Sequence, residues 1–400
     1  MNSAQKKNVE NIYGLSPMQK GMLFHSLRSP ESGDYVQQVS INLTGNVEVD
    51  RLRAAWMTVL SRYPNLKCSI IWENLDNPLQ VIHREITLPI EQYDWSHLSE
   101  QDVQKKVQKL LNEERIRNFD FAPPPLMRLS LINCPQARSQ MVIHYHHLLL
   151  DGWSLAIVLK EVFHFYQHPP EHEVKPDPQS FKYRDYIAWL KRTDSEQSYA
   201  FWKKHFAECE LPVSLQINRN AEFAQQPESH SNQYQELNRL LPKDMSRQLE
   251  LMAKTYKVTL SDIIHSAWGL LLSKYSDSNQ VVFGTTVSGR PPELRNIDTS
   301  VGLFINTVPL CLKINPAAKV SDWLSYVHQQ QLDLRDHSHL SLSEIQRAAG
   351  LPSGTALFES ILVFENYPVD ERKSNDPAGV FAGSSPVRPR GDKGLKNKSD

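Results

Sequence analysis

Helix-type and strand-type hydrophobic patterns occur in two similar series along this chain, and that arrangement most constrains its fold. In the first series apolar and polar residues alternate over 34–45, which is typical of a half-buried strand. Apolar residues then follow helical spacing from Leu52 to Leu60, behind Asp50, a residue that can cap a helix. Because helices and strands do not alternate strictly, two α+β lobes fit better than one doubly wound sheet.

The other predicted elements lie on either side of a proline- and acid-rich stretch, 169–178, which we interpret as a lobe boundary. The elements before it are a helix over 103–117, strands at 126–132 and 140–147, and a helix from about Trp153 to about Tyr166. The helices after it are predicted over 181–206, 243–256, 261–275 and 320–335, and Ser261 is the expected cap of the third. The strands after it are predicted at 281–287, 304–312 and 360–365. The predicted domains are therefore 1–175 and 176–369, followed by a polar tail, 370–400, that we expect to be disordered.

Charge and cysteine content exclude several classes of protein. Lys and Arg number 44 and Asp and Glu 45 among 400 residues, so the net charge is −1, and neither a nucleic acid nor an anionic membrane is an expected partner. Four widely spaced cysteines argue against a zinc module or a disulfide framework and suit a reducing compartment. Since no stretch approaches the roughly 18 apolar residues of a membrane helix, we expect a cytoplasmic protein.

One junction concentrates residues that can carry chemistry: MVIHYHHLLLDGWS, residues 141–154. Side chains alternate along a strand, so His144 and His146 are expected on one face, with Tyr145 and His147 on the other. Gly152 permits a sharp turn into the helix that Trp153 and Ser154 open, and that helix start presents free N–H groups. An imidazole beside a helix start suits a reaction that moves a proton while an oxyanion forms.

Three interpretations of this junction remain open. The paired histidines can be structural, satisfied by buried hydrogen bonds. A metal site is disfavoured, because Asp151 follows His146 by five residues and no second ligand cluster appears, so no metal is predicted. The third interpretation is an acyltransferase site.

The segment His146–Gly152 resembles the HHxxxDG motif of the condensation domains of nonribosomal peptide synthetases, a family related to chloramphenicol acetyltransferase. Further segments, in family order over residues 12–369, resemble its other motifs. They are LSPMQ (15–19) with GMLF (21–24), RYPNLK (62–67, like RHxxLR, with Tyr63 and Lys67 as replacements), YRDYIAW (183–189, like YxDYAxW), VGLFINT (301–307, like VGxFxNT) and FENYP (364–368).

The resemblance implies two chloramphenicol-acetyltransferase-like lobes forming a V-shaped pseudo-dimer, with a tunnel between them and the histidine motif at its middle. It implies an enzyme of secondary-metabolite biosynthesis, in which the amine of an acceptor aminoacyl thioester attacks a donor thioester to form an amide. Both substrates are held on phosphopantetheine arms of partner carrier domains, with adenylation domains on other chains. No cofactor is expected on the domain itself.

The resemblance also implies a role for each site residue. His147 is the expected catalytic group, His146 is expected to be structural, and Asp151 is expected to hold the motif's shape through an ion pair with Arg62. Gly152 supplies backbone freedom, and Trp153 is expected in the core. Trp153, Ser154, Tyr183 and Asn306 are family-motif or tunnel positions, with packing or capping roles expected for Tyr183 and Asn306.

Departures from the family leave alternatives open. Relatives continue past FENYP with elements that complete the second lobe, whereas this chain enters its polar tail, so we expect an incomplete second lobe with uncovered apolar surface. The chain is then either an active amide-forming transferase or an inactive remnant that docks carrier domains. An ester-forming or epimerising relative is the alternative among enzymes. The residues of the opening and histidine motifs favour the branch that accepts a donor ending in a D-residue.

Overall fold

The computed structural model of the chain describes residues 8–45, 47–172, 174, 180–207, 209, 237–352 and 355–365, and the backbone of 381–386. Within these ranges no helix is long and apolar enough to cross a membrane. Parts of the predicted lobe boundary, of the FENYP strand and of the polar tail lie outside the described residues.

The first half of the chain folds around a large sheet with helices packed against it. Its helices are α1 (Pro17–Arg28), α2 (Val49–Arg62), α3 (Glu100–Arg117) and α4 (Gly152–Gln167). Its strands are β1 (Val9–Gly14), β2 (Val36–Thr44), β3 (Cys68–Ile71), β4 (Leu79–His83), β5 (Ile90–Asp94), β6 (Met127–Cys134) and β7 (Arg138–His146).

Strand β7 lies inside the large sheet, paired antiparallel with β2 on one side and with β6 on the other. Strand β5 pairs parallel with β6, while β1, β4 and β3 form a separate small sheet. The main apolar core lies between the large sheet and the helices α2 and α4, and includes the fully buried Trp56. Because β7 is central, its last residues are held in place from both sides.

The second half has its own sheet and core. Its helices are α5 (Tyr183–Arg192), α6 (Ser195–Ala207), α7 (Lys243–Tyr256), α8 (Leu260–Ser276), α9 (Val320–Asp336) and α10 (Leu342–Ala348). Strand β8 (Gln280–Val287) pairs antiparallel with β9 (Asn306–Lys313) and parallel with β10 (Ile361–Leu362). Its core is built around Trp202 and Phe283.

Most predicted elements are confirmed, and the differences lie at their ends. The helical stretch predicted over 181–206 is two helices, α5 and α6, with a break at 193–194. The cap predicted at Ser261 is wrong, because the Thr259 side chain accepts from the Asp262 N–H in a capping box. Asp50 is not a cap either, since α2 begins one residue earlier, at Val49, with no side-chain cap bond.

Two further expectations are corrected by long-range pairing. Residues 381–386 form strand β11, which pairs antiparallel with β2 at the edge of the large sheet, so that part of the predicted disordered tail is ordered. The sulfur atoms of Cys209, just after α6, and Cys311, on β9, meet in the fold although the two residues are 102 positions apart, a contact that the cysteine spacing did not predict. Spacing along the chain could not predict either pairing, because both depend on the tertiary fold.

Candidate functional site

A cavity of about 2640 Å³ lies between the two halves of the molecule and takes its walls from both. The first half contributes residues of α1, β2 and the start of α4. The second half contributes residues of β8, β9 and α10. His147, Gly152 and Trp153 line this cavity, so the histidine junction predicted from the sequence opens onto it.

The alternation expected along β7 is present at its end. Tyr145 and His147 line the cavity, whereas His144 and His146 point away from it and are completely buried. Strand pairing ends at His146, and a turn over 147–149 follows in which the Leu149 N–H donates to the His146 carbonyl. Gly152 is therefore not the turn residue: it is the first residue of α4 and is not among the described glycines with positive φ.

His147 is held by its backbone and by one ring nitrogen. Its N–H donates to the Tyr35 carbonyl at 2.7 Å, and its Nδ1 lies 3.1 Å from the Leu150 carbonyl oxygen. Because a carbonyl oxygen only accepts, Nδ1 must carry the proton in this contact. The other ring nitrogen, Nε2, is then unprotonated in the neutral ring and can accept a proton.

His146, unlike His147, is completely buried and has both ring nitrogens occupied. The Leu148 N–H donates to its Nδ1 at 3.1 Å, and its Nε2 lies 3.0 Å from the Ser26 hydroxyl, so both ring nitrogens have partners. The Phe121 ring packs edge-on against it, with centroids 5.0 Å apart. Burial, with a smaller contribution from neighbouring His147, lowers the pKa of His146 to about 3, which keeps the ring neutral.

Asp151 is buried and links the two halves of the chain, but not through the residue predicted. Its Oδ1 accepts from the Ser154 N–H at 2.8 Å and lies 3.4 Å from the Arg290 guanidinium, while its Oδ2 accepts from the Phe304 N–H at 3.0 Å. The predicted ion pair with Arg62 is therefore wrong. Helices α2 and α4 pack together, and that packing places Arg62, at the end of α2, beside Glu161 of α4 at 3.4 Å.

Arg290 is a residue of this site that sequence reasoning missed. Its side chain is only 6% exposed, its guanidinium lies over the Phe304 ring at 4.0 Å, and it donates to the Ser300 carbonyl at 3.0 Å. Burial lowers its pKa, although the nearby Asp151 acts in the opposite direction. The preceding Gly289 has φ +57°, and a Cβ there would lie 1.8 Å from the Phe304 carbonyl oxygen. The signal available in the sequence was the glycine that directly precedes Arg290, because a glycine can mark a backbone conformation that other residues rarely adopt.

The remaining family-motif positions connect segments of the structure. Trp153 is not in the core as expected; it is half-buried, and its indole N–H donates across to the Asp298 carbonyl at 2.9 Å. Tyr183 is buried, and its hydroxyl donates to the Leu303 carbonyl at 2.8 Å. The Asn306 amide donates to the Leu340 carbonyl at 2.8 Å, which ties β9 to the loop before α10.

The opening motif supports the histidine turn directly. Ser16 and Gln19 form a capping box at the start of α1. The Gln19 side-chain amide also donates to the Leu148 carbonyl at 3.0 Å, inside the turn that follows His147. Two motifs about 130 residues apart in sequence are thus one hydrogen-bonded unit in the fold. The structure therefore explains why these residue types occur in the opening motif.

The donor atoms around the cavity suit proton transfer and hydrogen bonding. Over the described residues there is no group of three or more His, Cys, Asp or Glu side chains that could hold a metal ion. The available chemistry is an imidazole with one fixed tautomer, beside a helix start and in a cavity that both halves line. These features suit general-base proton transfer at a site on an α+β fold.

Comparison with known proteins identifies the family. The sequence profile of the condensation domain matches residues 9–384, and the chain belongs to that family. It is 36% identical over 369 residues to one of the linear gramicidin synthase proteins of Brevibacillus parabrevis, covering 92% of this chain and 5% of that protein. It is 33% identical over 368 residues to bacitracin synthase 3 of Bacillus licheniformis, covering 91% and 6%. The chain thus spans a small part of these relatives' length.

Solved structures share the fold. The first condensation domain of the calcium-dependent antibiotic synthetase, bound to a substrate analogue, superposes with a TM-score of 0.68 at 17% identity, covering 88% of this chain and 81% of that one. A holo four-domain nonribosomal peptide synthetase bound to AMP and glycine gives 0.73 at 21% identity, covering 89% and 27%. The α+β condensation-domain fold expected from the sequence is therefore confirmed.

Proposed function

We propose that this chain is an amide-forming condensation domain that joins a donor aminoacyl or peptidyl thioester to the amine of an acceptor aminoacyl thioester. The observation that carries the proposal is His147, which lines a cavity between the two halves and has its Nδ1 fixed on the Leu150 carbonyl. That arrangement leaves Nε2 as the proton acceptor, which is the chemistry that amide formation requires.

The reaction needs one proton acceptor and no metal. An α-amine has a pKa of about 8, so a useful fraction is neutral and nucleophilic near pH 7. Its lone pair attacks the donor carbonyl carbon and forms a zwitterionic tetrahedral intermediate. The ammonium proton passes to Nε2 of His147, the C–S bond then breaks, and the departing thiolate takes up the proton. An amide and a free carrier thiol result.

Positioning is expected to contribute more than proton transfer. General-base catalysis supplies on the order of 10²–10⁴-fold, whereas aligning two bound reactants can supply effective molarities of about 10⁵ M or more. A cavity of about 2640 Å³ has room for two tethered substrates that approach from different sides. We therefore expect a His147→Ala variant to be strongly impaired and to keep residual activity.

The architecture and partners that follow from family membership are part of the proposal. We propose two acetyltransferase-like lobes, 1–175 and 176–369, arranged as a V-shaped pseudo-dimer. The second lobe is the less complete one, because among described residues its sheet has three strands, whereas the first lobe contributes four of the five strands of the large sheet. Donor and acceptor carrier domains supply both substrates on phosphopantetheine arms, adenylation domains load those carriers, and the reaction takes place in the cytoplasm.

The test is a condensation assay with the purified chain, a donor aminoacyl-carrier and an acceptor aminoacyl-carrier, followed by intact mass of the acceptor carrier. We expect the dipeptide mass on the acceptor, and a rate about 10²-fold or more lower for His147→Ala. The matched control is His168→Ala, which removes an exposed histidine from the end of α4. The control should retain the rate of the unmodified chain.

Three outcomes contradict the proposal. A folded chain that yields no dipeptide, with folding checked by circular dichroism, indicates a remnant that docks carriers without turnover. A His147→Ala rate equal to that of the control removes His147 from the mechanism. Product in which the acceptor is an alcohol instead of an amine would assign the chain to the ester-forming relatives.

A further inference from the structure

Three separate segments meet at one buried hydroxyl, that of Ser154 in the first turn of α4. The hydroxyl donates to the Gly302 carbonyl at 2.8 Å and accepts from the Gly302 N–H at 3.1 Å. It also accepts from the Arg290 guanidinium at 2.9 Å. A serine hydroxyl has one donor and two acceptor positions, so all of them are occupied, and the residue is fully buried.

The backbone of Gly302 cannot move away from Ser154, because the Tyr183 ring packs against it. A Cβ on Gly302 would lie 2.2 Å from the Tyr183 ring, so the backbone is in close contact with that ring. The Tyr183 hydroxyl holds the next residue by donating to the Leu303 carbonyl. The loop at 301–304 is therefore held between Tyr183 and Ser154.

A short chain of contacts connects this junction to His147. The Asp151 N–H donates to the same Gly302 carbonyl at 3.1 Å, so Ser154 and Asp151 share one acceptor. Asp151 directly follows Leu150, whose carbonyl is the hydrogen-bond partner of the His147 ring. A displacement of Gly302 relative to α4 is therefore transmitted through one peptide unit to the carbonyl that orients the imidazole.

We propose that Ser154 is a positioning residue for His147: its hydroxyl joins α4 to the 301–304 loop and to Arg290, and so sets where the imidazole lies in the cavity. This inference rests on the proposed function, because it assigns Ser154 a part in the same reaction. Ser154 has no exposed surface and cannot touch either substrate. Its effect on the reaction must therefore pass through residues that it positions, and among these His147 is the proton acceptor.

Burial of Ser154 determines which kinetic constant changes. A misplacement of about 1 Å at a reacting group can cost 10²-fold in rate. Carrier domains bind at the protein surface, which Ser154 does not reach. We therefore expect Ser154→Ala to lower kcat by about 10- to 100-fold while KM for each carrier stays within about threefold of its original value.

The matched control is Ser266→Ala, at a serine that is also buried but whose hydroxyl has no hydrogen-bond partner among the described residues. It should leave kcat and KM unchanged. Ser154→Cys retains a weak donor and should fall between Ser154→Ala and the unmodified chain. If Ser154→Ala shows no cooperative thermal transition, Ser154→Cys becomes the variant on which both measurements below are made.

The second measurement does not depend on activity. The ring Cε1 resonances of ¹³C-histidine-labelled protein report the environment of each imidazole, and the His147 signal is the one lost in His147→Gln. We expect Ser154→Ala to shift or broaden that signal, with the exposed His97 signal unchanged, and Ser266→Ala to leave both in place.

The two readouts separate the positioning role from the proposed function. A lower kcat together with a moved His147 signal supports the role of Ser154. A moved signal with unchanged kcat, or a lower kcat with an unmoved signal, overturns it. If the unmodified chain makes no dipeptide, the proposed function fails on that result. The His147 signal then still decides whether Ser154 positions the ring, and an unmoved signal rejects the inference.

Discussion

The two sides of the histidine junction differ in a way that explains the roles of neighbouring residues. On the closed side, His144 and His146 are buried, and each has both ring nitrogens hydrogen-bonded. On the open side, His147 is half-buried, lines the cavity and has one ring nitrogen engaged by a carbonyl. Adjacent histidines on one chain segment thus have different chemistry, because strand alternation sends them to different environments.

The comparison shows that the role of each histidine depends more on its burial than on its residue type. Moving a histidine out of water disfavours its charged form, and on the closed side this lowers the pKa of His144 to about 4 and that of His146 to about 3. Groups with such values remain neutral at physiological pH and act as fixed hydrogen-bonding parts of the scaffold. Proton transfer is therefore assigned to His147, on the open side.

Breaking the buried Asp151–Arg290 ion pair, which lies on the open side with His147, should have the largest effect on stability. Replacing Arg290 with Ala leaves buried Asp151 without its cation, and breaking such a pair typically costs about 3–5 kcal/mol of unfolding free energy. Urea denaturation measures the loss, and Arg295→Ala, at an exposed arginine in the same loop, is the control. A loss below about 1 kcal/mol for Arg290→Ala would show that the stability of the fold does not depend on this pair.

Lowering the pH should reduce the free energy of unfolding through the two histidines of the closed side. The expected effect lies between those of the Arg290 and Arg62 variants. His144 and His146 have folded-state pKa values well below the unfolded value of about 6.5, so the unfolded chain binds more protons at low pH. Stability is therefore fully present above pH 6.5 and falls as the pH decreases toward the folded pKa values. The expected loss between pH 7.5 and pH 5 is about 2 kcal/mol per histidine.

Comparing variants isolates this contribution from those of other histidines. His144→Gln should reduce the stability difference between the two pH values by about 2 kcal/mol, whereas His97→Gln, at an exposed histidine, should not change it. Urea unfolding at pH 5 and pH 7.5 gives both numbers. Equal differences for the two variants would mean that His144 is not held neutral by burial.

The smallest effect is expected at Arg62, which sharpens the comparison with Arg290. Its side chain is 35% exposed and pairs with Glu161, and exposed ion pairs contribute about 0–1 kcal/mol. Arg62→Ala should therefore lower the unfolding free energy by less than about 1 kcal/mol and leave the condensation rate unchanged. A loss as large as that of Arg290→Ala would restore the Arg62–Asp151 pairing that the sequence suggested.

The sequence alone was sufficient for the local features of this protein. Hydrophobic spacing located most helices and strands to within a few residues, because side-chain periods of 2 and 3.6 follow directly from backbone geometry. The same alternation placed His146 and His147 on opposite sides of β7. The HHxxxDG-type segment and its companion motifs identified the family, which the match over residues 9–384 confirms.

Only the tertiary structure decided which distant groups meet. The partner of Asp151 is Arg290, which is 139 residues away, and the Cys209–Cys311 contact and the β11–β2 pairing also join remote segments. Local patterns contain no information about such contacts, because the distance between two side chains depends on how helices and sheets pack. The sequence therefore determined the elements and the reactive histidine, while packing decided which arginine supports it and what surrounds each imidazole.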